Sequence, residues 1–174
     1  MKKSLLVMAL AGTAFAAPVL GAGFVGDYAP ANWTLSQGNA NGFVQQHDAS
    51  TLVLVGGNNG SGGFGFTDLL IQVAQTGFIS FDWAYDSVDD PGFDAGLYFS
   101  DGTGFVLLST TAGESGSILN VAVNAGDFFA FSIETDDNLF GPGILTVTNF
   151  SFVPAPGAAG LLALGGLAAV RRRR

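Results

Sequence analysis

The 174-residue sequence contains no cysteine, so neither disulfides nor thiolate chemistry can support or occupy the fold. Positive charge is almost as scarce. Lys2 and Lys3 at one end and Arg171, Arg172, Arg173 and Arg174 at the other are the only Lys and Arg. Between them stand all fourteen acids, twelve Asp with Glu114 and Glu134, and a single histidine, His47. A body without Lys or Arg cannot grip phosphate or carboxylate through side-chain charge, which excludes nucleic acids, nucleotides and acidic substrates. Cations, neutral molecules and basic surfaces remain as partners. Lys–Asp and Arg–Asp salt bridges are absent from the interior for the same reason, so apolar burial and backbone hydrogen bonds must hold it together. Helix-period patterning of useful length is missing too.

What the chain has instead is 26 glycines and 16 phenylalanines, a composition that suits tight turns and pleated strands. Residues 1–16 read as a secretory signal peptide. Lys2 and Lys3 form its basic start, Leu5 to Leu10 begin a short apolar run, and Ala14 and Ala16 are the small residues a signal peptidase reads, with cleavage between Ala16 and Ala17.

Residues 17–152 read as one all-β domain. Ten strands are expected, at 33–36, 42–46, 51–55, 68–74, 77–85, 95–99, 105–109, 118–123, 128–134 and 144–152, separated by Gly, Asn and Asp clusters. Strict alternation marks three inward faces: Ile79, Phe81, Trp83 and Tyr85; Leu119, Val121 and Val123; and Phe129, Phe131 and Ile133. The link Asn124-Ala125-Gly126-Asp127 reads as a hairpin joining the last two. A phase break in the final strand predicts a bulge near Asn149. Ten short strands over this length imply a two-sheet antiparallel β-sandwich of jelly-roll type.

Candidate chemistry is thin. His47 has no serine, cysteine or second histidine in a recognised arrangement, so it is not expected to be catalytic. Asp89, Asp90 and Asp94 share one loop with Asp86, and Asp136, Asp137 and Asn138 another. Hard oxygens in loops are what calcium requires, although the linear EF-hand pattern fails at Phe140 and Val147. Calcium is therefore the one cofactor these residue types admit. Glu114 lies in a turn away from Glu134, and no Gly-x-Ser-x-Gly meets a helix, so an enzyme is not expected. Trp33, Trp83, Tyr85 and Tyr98 are candidate sugar platforms. Trp83 and Tyr85 fall on the inward face, which leaves Trp33 and Tyr98. Asn32, Asn59 and Asn149 begin chance matches to the glycosylation sequon.

The last stretch is an address label. Val153-Pro154-Ala155-Pro156 precedes an uncharged run from Gly157 to Val170 and then the four arginines. As a helix that run would extend roughly 21 Å, short of a bilayer core of ~30 Å. The arginines would hold its far end in the cytoplasm, leaving the domain outside the inner membrane.

Val153 to Pro156, the Gly160-to-Ala169 segment and Arg171 to Arg174 together resemble a PEP-CTERM sorting signal, with Ala155 where that family has its name-giving Glu. The resemblance covers residues 153–174. It implies export, a transient stay of the tail in the inner membrane, reading by an exosortase, and a place at the cell surface or in an exopolysaccharide matrix of a biofilm. The phrases Ser80 to Tyr85, Asn124 to Phe129 and Asp137 to Pro142 are similar to a domain common in such sorted proteins, which again implies a sandwich. The expected function is that of an exported, non-enzymatic surface or matrix protein. The alternative is a secreted carbohydrate-binding module, with calcium as a stabiliser of either.

Overall fold

The computed structural model describes residues 21–155. The expected signal peptide, the Ala16–Ala17 cleavage site, Pro156, the apolar run and Arg171, Arg172, Arg173 and Arg174 lie outside the described residues. Among the described residues, no helix is long and apolar enough to cross a membrane.

Eleven strands form the domain: β1 (Gly21–Ala22), β2 (Thr34–Gly38), β3 (Phe43–His47), β4 (Thr51–Val55), β5 (Gly65–Gln72), β6 (Gly77–Asp86), β7 (Asp94–Ser100), β8 (Gly104–Ser109), β9 (Glu114–Val123), β10 (Phe128–Thr135) and β11 (Ile144–Pro154). Two 3₁₀ turns, Gly26–Tyr28 and Pro30–Asn32, carry the chain from β1 to β2. All ten expected strands are present. Only the two-residue β1, too short to show alternation, is additional.

One sheet runs β3-β4-β11-β6-β9, with β1 attached to β11, and the other runs β2-β5-β10-β7-β8. Every pairing within them is antiparallel. From β4 to β11 the chain threads the sheets in the jelly-roll order, β4-β11-β6-β9 facing β5-β10-β7-β8. β3 and β2 add one further edge strand to each.

The hairpin expected at Asn124 to Asp127 is not one. β9 pairs with β6, and β10 pairs with β5 and β7, so the link carries the chain from one sheet to the other. Asp127 Oδ2 accepts the Asn124 backbone N–H and side-chain amide at 2.9 and 3.0 Å, and Gly126 takes φ 92°. Those local bonds make a tight turn whichever partners the flanking strands choose, which is why the sequence could not distinguish the two.

The core lies between the sheets. Phe129, Phe131 and Ile133 of β10 face Ile79 and Phe81 of β6 and Leu145 and Val147 of β11, all buried. The bulge expected near Asn149 is found between Thr148 and Ser151, with Asn149 at φ 50°, and it turns Phe150 and Phe152 back into the core. A second bulge was not legible. Asn120 at φ 59° interrupts the β6–β9 register, so Ile118 packs inward and Leu119 is left 71% exposed. Leu119 therefore does not share the inward face of Val121 and Val123. An extra residue inverts the alternation on one side of it.

Candidate functional site

The jelly-roll pairing fixes which side chains the five-stranded sheet turns outward. Since Phe129, Phe131 and Ile133 point into the core, Phe128, Ala130, Ser132 and Glu134 take the opposite face. Following the register from β10 in both directions gives three rows across the strands. One is Thr34, Leu70, Ala130, Phe99 and Phe105; the next is Ser36, Asp68, Ser132, Leu97 and Leu107; the third is Gly38, Phe66, Glu134 and Ala95.

An open sheet face should be polar. The outer face of the other sheet is mixed: Thr51, Thr148, Asp82 and Ser117 form one row and Val53, Thr146, Ala84 and Ser115 the next, while Phe43, Phe78 and Leu119 are exposed elsewhere on it. The face built on β10 differs in bringing two aromatic rings into contact. Phe99 and Phe105 lie 4.9 Å apart with tilted rings, and Phe105 is 54% exposed beside the exposed Leu107 and Phe128. The face is graded. Apolar side chains gather over β7 and β8, while β2 and β5 bring hydroxyls and a carboxylate alongside Phe66 and Leu70. Ser132 at the centre is 0% exposed although no layer lies above it, because larger neighbours rise around it.

Two acids stand in this face. Asp68 Oδ1 accepts a short hydrogen bond from Ser132 Oγ. Burial pushes the Asp68 carboxyl above its usual range, and the Ser132 hydroxyl offsets part of that rise. Glu134 is raised as well, first by burial and then by the charges of Asp68 and Asp136. Asp68 pairs with Ser132 and Glu134 with Phe66 on the same two strands, so the carboxyl groups are diagonal neighbours. No Lys or Arg lies anywhere between residues 4 and 170 to compensate them.

The aromatic platforms expected from the sequence are not available. Trp33 is 8% exposed, stacked on Phe131 at 5.7 Å, and its Nε1–H donates to the Tyr28 carbonyl at 3.0 Å. Tyr98 is 7% exposed and stacked on Phe129 at 6.0 Å. Tyr85 is buried and Trp83 half-buried against the core. The exposed aromatics are phenylalanines. Sequence reasoning missed Phe99, Phe105 and Asp68, yet a signal existed: residues 69–71, 97–99 and 105–108 are apolar in both phases of the alternation. Such runs announce a strand with something to contact on each side.

The calcium set is divided. Asp94 is buried, and its Oδ2 accepts from Ser87 Oγ at 3.2 Å. Burial pushes its carboxyl up, the Thr135 and Ser87 hydroxyls pull it back, and the charges of Asp89 and Asp137 add to the rise. Asp89 reaches the same corner, where its backbone N–H donates to Ser87 Oγ. Asp90 and Asp136 are exposed, and Asp137 Oδ1 caps the Leu139 N–H at 2.9 Å. Asn138 is fully buried, and its amide donates to the carbonyls of Asn39 and Gly63. Among the described residues, no three Asp, Glu or His side chains converge as metal ligands. Above this corner a surface pocket of about 400 Å³ is lined by Val88, Asp89, Asp90, Phe93 and Phe140.

His47 is half-buried with its ring edge-on to Phe24 at 4.8 Å and Trp33 at 5.8 Å. Burial lowers its pKa, Asp48 partly opposing. Its surroundings are those of a packed ring. Glu114 accepts from Ser109 Oγ at 2.6 Å, on the other sheet from Glu134. Of the sorting motif, Val153 and Pro154 belong to β11, opposite Phe78 and Gly77, and the Ala155 N–H donates to the Thr76 carbonyl at 2.9 Å.

No family model and no curated protein matches the chain. Solved structures do. A carbohydrate-binding module of the β-sandwich superfamily, described for promiscuous specificity, aligns over 80% of this chain at 12% identity with a TM-score of 0.44. The aligned part is 64% of that module's length. A family 11 carbohydrate-binding module from Clostridium thermocellum, solved with a mixed-linked tetrasaccharide, aligns over 77% of this chain and 96% of its own at 10% identity, with a TM-score of 0.44. An agarase aligns over 73% of this chain and 24% of its own, at 12% identity and a TM-score of 0.41.

Proposed function

We propose that the chain is an exported, non-enzymatic binding protein of the cell surface or extracellular matrix, and that the outer face of its five-stranded sheet binds polysaccharide. One observation carries this reading: on the solvent face of the five-stranded sheet the contacting rings of Phe99 and Phe105, with exposed Leu107, adjoin the hydroxyls and carboxylates of Ser132, Asp68 and Glu134. Water-facing apolar area of this kind is maintained for a partner. The partner must be flat enough to lie on an open sheet and must tolerate carboxylates. It needs apolar faces for Phe99 and Phe105 and polar edges for Thr34, Ser36, Asp68 and Ser132. Sugar rings have that chemistry, with C–H faces for aromatic rings and hydroxyls around the rim.

The row from Leu70 to Phe105 crosses four strands, about 14 Å at the usual strand spacing, enough for a short oligosaccharide. Export and surface placement rest on the two terminal segments and their resemblance to a sorted exoprotein.

Retention of the intact protein on insoluble and gel-embedded polysaccharides tests the reading. Binding that Phe105→Ala weakens at least about tenfold, with unchanged melting, supports it. Binding to no polysaccharide, or binding indifferent to Phe105→Ala, overturns the assignment of this face.

A further inference from the structure

The carboxylates make the face more selective than a neutral sugar requires. Asp68 and Glu134 sit half-buried on the diagonal of one ladder, with Glu134 in the field of Asp68. Apolar and aromatic side chains adjoin them: Phe66 opposite Glu134, and Leu70 two residues along from Asp68 on the same face. Hydroxyls of a neutral sugar can donate to both carboxylates, but they leave two like charges desolvated side by side with no counter-charge between them. A ligand that carries its own cations turns the same burial into attraction, and the chain has no Lys or Arg of its own in the domain to compete.

We propose that the polysaccharide this face selects carries free amino groups, its ammonium ions pairing with Asp68 and Glu134 while its ring faces rest on Phe99 and Phe105. This rests on the carbohydrate reading above and narrows it to amino-sugar polymers. Uronic-acid and sulfated polymers are repelled by the same two residues, which places the ligand outside the acidic exopolysaccharides.

Titration calorimetry of the intact protein near pH 6 compares two hexasaccharides with one backbone: β-1,4-linked glucosamine, and the same hexamer fully N-acetylated. The amine form should bind at least about tenfold more tightly, with the difference shrinking as salt is added. Glu134→Gln and Asp68→Asn, each checked by its melting temperature, should bring the two affinities together by weakening the amine form alone. Equal affinities in the unaltered protein overturn the amino-sugar proposal and leave the polysaccharide reading standing. If neither hexamer nor any other polysaccharide binds, both fall. Tetra-arginine serves as the competitor. If it displaces the glucosamine hexamer as effectively as free hexamer does, and Phe105→Ala has no effect, the face is a site for basic peptides and the proposal is overturned.

Discussion

Asn138 and Asn39 are 99 residues apart in sequence, and the side-chain amide of the first donates to the backbone carbonyl of the second at 2.9 Å. The same amide donates to the Gly63 carbonyl at 2.8 Å, while Asn138 itself holds φ 56°. One side chain thus ties the turn after β10 to the loop after β2 and to the glycine-rich loop before β5. Asn is among the few residues that tolerate a left-handed backbone and also carry the donors. Read from the sequence as a cation ligand, it is a structural clasp.

Asn138→Ala should therefore cost about 1–3 kcal/mol in urea unfolding, from two lost part-buried hydrogen bonds and an alanine held at a left-handed backbone. Asn138→Asp removes the donors while keeping the shape and should cost a similar amount. A loss below about 0.5 kcal/mol would show that the clasp contributes little.

Trp33 and Phe105 should separate stability from binding. Trp33→Leu leaves a void beside Phe131 and strands the Tyr28 carbonyl, so it should destabilise by about 2–4 kcal/mol while the folded fraction binds polysaccharide normally. Phe105→Ala should do the reverse, losing less than about 1 kcal/mol of stability but most of the binding. Denaturation curves read beside retention assays settle which aromatic does which work.

Acidification below about pH 6.5 should bring a destabilising contribution from His47, opposed at lower pH by the raised carboxyls of Asp68, Asp94 and Glu134. The folded pKa of His47 is depressed by burial, so in that window the unfolded chain binds the proton more readily than the folded one. Stability then rises with pH, is free of this cost above the unfolded value, and carries the whole cost once the pH is below the folded value. In His47→Phe this part of the slope should vanish between pH 7 and pH 5, while the slope from carboxylates at lower pH remains. An unchanged slope would count against it.

Trimming of the tail should fall beyond Ala155. Val153 and Pro154 are paired in β11, and the Ala155 N–H is bonded to Thr76. A protease would have to peel the end of β11 away from β6 to cut among them. Intact-mass analysis of native protein released from cells should give a C-terminus at Pro156 or later. One at Ala155 or upstream would contradict this.

Much of the architecture was legible because its signals are local. Short β-rich runs ended by Gly, Asn and Asp located ten strands, and the phase break at Asn149 located a bulge. Leu119 and the link after Asn124 were misread for one shared reason. The side a residue faces, and the strand its neighbour joins, depend on a register set elsewhere. Asn120 slips that register, and the partners of β9 and β10 lie in different sheets. The outer face of the five-stranded sheet was hidden for the same reason: Asp68, Glu134, Phe99 and Phe105 come from four strands spread over 67 residues.

The sequence by itself determined that the domain is all-β and without disulfides, Lys or Arg. Composition and period-two alternation are properties of the chain, and no partner is needed to read them. Tertiary structure alone decided that Trp33 and Tyr98 are core, that Asn138 is a clasp, and that Asp68 and Glu134 share an open aromatic face. Each of these depends on which strand pairs with which, and pairing is decided by the burial of the whole core.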